Sequence, residues 1–110
     1  MGKDPTMLLE VRSYTVNEGK REAFVDWFDN KALPVMKSCG IDVLGQFTST
    51  EDENTFVWLR SFTDEADKDA KYAAFYGGDA WKNGLEAEAK ELVAGIDVKV
   101  VSPTEKSAIH

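Results

Sequence analysis

The chain reads as an α+β protein, a ferredoxin-like β-α-β-β-α-α-β unit whose four strands form one antiparallel sheet in the order 4-1-3-2. Three observations lead there. Residues 7–15 and 56–62 are rich in β-branched and aromatic residues and alternate at period two. Phe24, Trp27, Phe28, Leu33, Val35, Met36 and Cys39 instead recur at steps of three and four, the spacing of one helix face. Gly40, the pair Gly77-Gly78, and Gly95 fall where one pattern gives way to the next.

The elements follow in order. The first strand places Met7, Leu9, Val11 and Ser13 on one face and Leu8, Glu10, Arg12 and Tyr14 on the other. Asn17-Glu18-Gly19 turns into a helix over about residues 20–38, which Pro34 should kink because it lacks an N–H and crowds the preceding turn. Gly40 ends that helix. Residues 41–50 and 56–62 are strands joined by the polar turn Glu51-Asp52-Glu53-Asn54, a hairpin. Thr63-Asp64 caps a second helix that Gly77-Gly78 breaks. Asp79 opens a third, with Trp81, Leu85, Ala89, Leu92 and Val93 on one side, and Gly95 closes it. Residues 96–101 form the last strand, ended by Pro103. A domain over 7–103 is thus flanked by a leader (1–6) and a polar tail (104–110), both expected to be flexible.

Size and charge bound the function. One hundred and ten residues suffice for one domain that buries roughly two-thirds of its unfolded surface. Twenty acidic against 13 basic residues give a net charge of −7. That balance opposes binding to nucleic acid or to anionic membranes. No apolar run approaches the ~20 residues of a membrane span. Cys39 is the single cysteine, which excludes an internal disulfide and suggests a reducing, cytoplasmic setting. At the end of an apolar stripe it reads as a buried structural thiol.

The only histidine is His110, so neither a Ser-His-Asp triad nor a His-based metal site is expected, and haem with a histidine ligand is disfavoured. There is no phosphate-binding glycine signature. No cofactor or metal is expected. The remaining chemistry-bearing residues are Glu10, Arg12, Tyr14, Gln46, Trp58, Arg60, Tyr76 and Trp81. Alternation puts Glu10, Arg12 and Tyr14, and with them Trp58, Arg60 and Phe62, on the sheet face away from the helices. Several large rings there would not stand in water, which predicts face-to-face packing of two sheets in a homodimer. Glu10 then pairs with Arg60 or Arg12, either as the wall of a polar pocket or as an ion pair fixing the register of the dimer.

Four segments carry a resemblance: Glu10-x-Arg12-x-Tyr14 with Gly19 behind it; residues 43–47, VLGQF; residues 56–62, FVWLRSF; and residues 74–81, AFYGGDAW. In this order and spacing, over nearly the whole of residues 8–102, the chain resembles bacterial single-domain members of the NIPSNAP family. The resemblance implies a dimeric α+β barrel and no particular reaction. The chain differs at Asp67-Lys68, where relatives often carry arginine, and at residues 90–95, where many are Asn-rich. Two readings of function stand. One is a homodimeric small-molecule-binding or interaction module. The other, by analogy with dimeric α+β barrels, is a cofactor-independent oxygenase or isomerase acting on a small aromatic or polyketide-like substrate. A closed, water-filled cavity between sheet and helices, with Tyr76 or Glu10 projecting into it, would favour the enzyme, and a core filled solid by side chains would favour the module.

Overall fold

In a computed structural model describing residues 7–109, the strands and helices follow the expected order. The leader 1–6 and His110 lie outside the described residues. Strand β1 (Leu8–Val16) leads to helices α1 (Arg21–Trp27) and α2 (Leu33–Ser38), then to β2 (Asp42–Thr48) and β3 (Thr55–Phe62). Helix α3 (Glu65–Tyr76) precedes α4 (Glu86–Leu92), which runs directly into β4 (Val93–Val101). The sheet order is β2-β3-β1-β4, all neighbours antiparallel, so β1 is paired on both sides by strands that come later in the chain.

The helix expected over 20–38 has three parts. A π-helical turn, Phe28–Ala32, separates α1 from α2, and Pro34 sits in the first turn of α2. Proline has no N–H to donate to the preceding turn, and the wider turn relieves the clash of its ring. The chain leaves α2 through Gly40 at φ +80°, a left-handed conformation that favours glycine. Asp64 caps α3 by accepting from the Asp67 N–H at 2.7 Å.

Gly95 does not close the last helix; it lies within β4. The helix ends at Leu92 because Asn17 reaches across from the end of β1. The Asn17 backbone N–H donates to the Leu92 carbonyl at 2.8 Å and its side-chain amide donates to the Glu91 carbonyl at 2.8 Å. These bonds satisfy terminal carbonyls and let Val93 enter the sheet without a loop.

One sheet face and the helices enclose the core. Phe24 and Phe28 stack on Phe56 with ring centroids 4.8 and 5.2 Å apart, and Phe28 meets Trp58 at 4.9 Å. The face carrying Glu10, Arg12, Tyr14, Trp58, Arg60 and Phe62 is therefore the helix-covered one, opposite to the expectation. Alternation sorts residues into two faces without saying which is covered. The helices supply the polar partners that make burial of this face tolerable. The other face presents Val11, Val57 and Leu59, all half-buried. Cys39 is half-buried rather than enclosed, packed against the core edge.

Candidate functional site

Glu10 and Arg60 face each other across β1 and β3, and Arg12 faces Trp58 one step along. Two-residue periodicity thus stacks a carboxylate, two guanidiniums and an indole on one covered patch. Helix α3 closes over it with Tyr72 and Tyr76, four residues apart and so on the same helical face. The result is a cluster in which Glu10 is 1% and Arg60 0% exposed.

Glu10 holds the cluster together. Its Oε1 accepts from Arg60 Nε at 2.7 Å and from Arg12 Nε at 2.9 Å, and its Oε2 accepts from the Tyr72 hydroxyl. Arg12 also donates from Nη1 to the Tyr14 hydroxyl at 2.9 Å and from Nη2 to the Tyr72 hydroxyl at 3.0 Å. Arg60 donates from Nη2 to the Tyr76 hydroxyl at 3.0 Å, and its Nη1 lies 3.9 Å from the Met36 sulfur. Rings surround it: its guanidinium carbon is 5.0 Å from the centroids of Trp58 and Tyr72, 5.6 Å from Tyr76 and 5.7 Å from Phe62. Such contacts replace part of the hydration lost on burial.

Burial pushes the Glu10 carboxyl up, but the hydrogen bonds from Tyr72, Arg60 and Arg12 outweigh it and hold the group at about 2. Desolvation pulls Arg12 and Arg60 down, and the phenol oxygens and the Glu10 carboxylate outweigh it, so both stay charged. Tyr14 is pushed up by burial and stays a neutral hydroxyl. An ionised carboxylate with both oxygens engaged is a poor base, so Glu10 is suited to holding the two guanidiniums and not to moving a proton. Two guanidiniums against one carboxylate leave the cluster with a net charge of +1.

Beside the cluster lies a cavity of about 430 Å³ between sheet and helices. Tyr14 and Trp58 come from the sheet, Phe24 and Phe28 from α1 and the π-helical turn after it, Phe75 and Tyr76 from α3, and Trp81 from the helical turn that leads into α4. The wall continues along α4 and the start of β4, including Lys90, Val93, Ala94 and Gly95, the stretch singled out above as different from relatives. Trp81 stacks edge-on against Tyr76 at 5.0 Å. Trp27 also lines the cavity, with its indole N–H donating to Glu88 at 3.3 Å. Trp58 differs: its enclosed indole N–H has no hydrogen-bond partner among the described residues.

Of the eight residues singled out from sequence, Glu10, Arg12 and Arg60 form the charged cluster, Tyr14, Trp58 and Tyr76 border both cluster and cavity, and Trp81 lines the cavity alone. Gln46 stands apart. It lies opposite Trp58 on β2 but donates to the Asp29 carboxylate at 3.1 Å, at the protein surface. Tyr72 and Met36 were missed as members of the cluster. The signal for Tyr72 was its spacing of four from Tyr76, which puts both phenols on one face of α3. Among the described residues, no group of three or more His, Cys, Asp or Glu side chains is placed to hold a metal ion.

Comparison with known proteins agrees with this architecture. The NIPSNAP family profile matches residues 9–108, and the chain belongs to that family. Among solved structures, it is similar to a NIPSNAP family protein with unknown function from Agrobacterium tumefaciens, at 20% identity and a TM-score of 0.88 over 98% of this chain and 97% of that one. It is also similar to an uncharacterized NIPSNAP-like domain protein from Burkholderia xenovorans, at 18% identity and 0.84 over 93% and 89%. A putative antibiotic biosynthesis monooxygenase from Nitrosomonas europaea matches at 13% identity and 0.71 over 98% and 100%. At these identities the likeness establishes the shared ferredoxin-like fold. No curated protein matches the chain at a significant level.

Proposed function

We propose that the protein is a homodimeric, cytoplasmic member of its family that binds a small organic molecule between sheet and helices. One observation carries the reading: the core is not filled solid, but leaves an aromatic-walled cavity of about 430 Å³. That volume falls within the ~300–1,000 Å³ common for ligand pockets. The homodimer draws support from the edge strands, where Phe47 on β2 and Ile96, Val98, Val100 and Val101 on β4 are exposed. Unpaired, apolar sheet edges of this kind favour association. The solitary cysteine supports a reducing compartment.

Native mass spectrometry of the untagged protein tests the ligand reading. The expected spectrum contains a chain-plus-ligand species of constant extra mass. Bare chain and bare dimer alone, in gentle conditions and from several expression backgrounds, would count against it. The catalytic alternative, a cofactor-independent oxygenase or isomerase working on a small aromatic or polyketide-like substrate, is favoured by the same cavity, with Tyr76 in its wall, and by the fold shared with the Nitrosomonas protein. It requires oxygen uptake or product formation with such a substrate in metal-free buffer.

A further inference from the structure

The cavity wall contains more hydrogen-bond donors than the protein uses. The Trp58 indole N–H is enclosed, with the whole residue 3% exposed, and has no partner among the described residues. With essentially no accessible surface that nitrogen is closed to the cavity, so Trp58 offers its ring rather than its N–H, and the open donors are the phenols. The Tyr14 and Tyr76 hydroxyls accept from Arg12 and Arg60, yet no described group accepts their own protons. A phenol that accepts from a guanidinium becomes a stronger donor in turn. Behind these three groups sits the cluster of net charge +1, with the guanidinium carbons of Arg12 and Arg60 at 5.5 and 5.0 Å from the Trp58 ring. An unbalanced charge removed from water is costly unless it is compensated. The neighbouring rings of the wall, Phe24, Phe28, Phe75 and Trp81, are apolar. Glu86 and Lys90, also in the wall, carry opposite charges and so bias neither sign.

We propose that the cavity selects a small, flat, largely apolar molecule bearing one oxyanion, with the anionic oxygens held by the Tyr14 and Tyr76 hydroxyls and the ring system against the phenylalanines, Trp58 and Trp81. The inference rests on the small-molecule reading and adds the ligand's charge class. A carboxylate, an enolate or a phenolate shares the required chemistry. Arg12 and Arg60 act as positioning residues that polarise the phenols and supply the balancing charge without touching the ligand.

The test is calorimetric titration of the full-length protein with 2-naphthoate and with the neutral, similarly shaped 2-naphthalenemethanol. The chain's three tryptophans, Trp27, Trp58 and Trp81, all line the cavity, so intrinsic fluorescence gives an independent readout of occupancy. Naphthoate is expected to bind at least tenfold more tightly than the alcohol, as charge-assisted hydrogen bonds are stronger than neutral ones. Non-specific attraction does not account for such a preference, because the protein itself carries −7. In the Tyr14→Phe/Tyr76→Phe double variant the preference should shrink at least tenfold, because naphthoate loses far more affinity than the alcohol does. Equal or tighter binding of the alcohol overturns the anion selection but leaves the small-molecule reading standing. A preference undiminished in the double variant overturns the role of the hydroxyls. Binding of neither probe, together with bare chain in native spectra, overturns both readings.

Discussion

Replacing Glu10 with glutamine is the most direct perturbation of this molecule. The substitution keeps shape and one acceptor but removes the only carboxylate between two buried guanidiniums. Two routes give the magnitude. Breaking a buried pair by removing one partner typically costs ~3–5 kcal/mol. Independently, lowering the carboxyl from its ordinary 4.5 to about 2 corresponds to about 3 kcal/mol of folding stability at neutral pH. The sign is fixed by linkage. A depressed carboxyl contributes fully above its unfolded value, near 4.5, and loses that contribution as pH falls towards 2. Urea unfolding of wild type and Glu10→Gln, repeated from pH 7 down to pH 3, should therefore show a gap of about 3 kcal/mol that narrows to roughly half by pH 3. A gap under ~1 kcal/mol, the range of exposed pairs, or one independent of pH would refute the buried cluster.

Arg60→Leu should destabilise the protein less than Glu10→Gln, because Glu10 keeps Arg12; unfolding curves that reverse this order would mean that Arg12 is not a true partner. Combining the two substitutions should cost clearly less than the sum of the singles, a non-additivity read from the same curves. Asp64→Ala should cost ~0.5–2 kcal/mol through loss of the α3 cap, with Asp64→Asn retaining most of the stability. Sedimentation at micromolar concentration should give twice the 12.2 kDa chain mass, and a stable 12.2 kDa species would rule out the homodimer.

The strands were legible because their alternation is strong and their chemistry distinctive. Glu10, Arg12 and Tyr14 share a face for the same reason that Trp58, Arg60 and Phe62 do, and the hairpin after residue 50 set β2 beside β3. What alternation lacks is the third dimension. Whether the Glu10 face lay under helices depended on Tyr72 and Tyr76 arriving with three hydrogen bonds to the cluster, and those partners lie 62 and 16 residues from the groups they satisfy. The end of α4 was hidden likewise: Gly95 looks like a stop, but the stop is made by Asn17, 74 residues away from the Glu91 carbonyl it caps. Pro34 was visible as a disturbance. The π-helical turn that absorbs it, with Phe28 and Ala32 buried inside it, has no signature beyond the proline. The cavity was legible only in part: Tyr14, Trp58, Tyr76 and Trp81 stood out in the sequence and line it, whereas Phe24, Trp27 and Phe28 looked like simple core.

Strand β1 is the first made and the last completed. Its neighbours are β3, some fifty residues on, and β4 at the far end of the chain, so during synthesis it waits for both. Long-range pairing is slow to form, and an unpaired apolar strand is an invitation to aggregate. The alternating Glu10 and Arg12 change that exposure. While the strand waits they are hydrated ions that break up its apolar stretch, as gatekeeper charges do. When β3 and α3 arrive, the same two side chains become the middle of a closed network. A feature that in the finished protein reads as costly burial thus serves the nascent chain as its solubility, and the two roles meet in the same pair of residues.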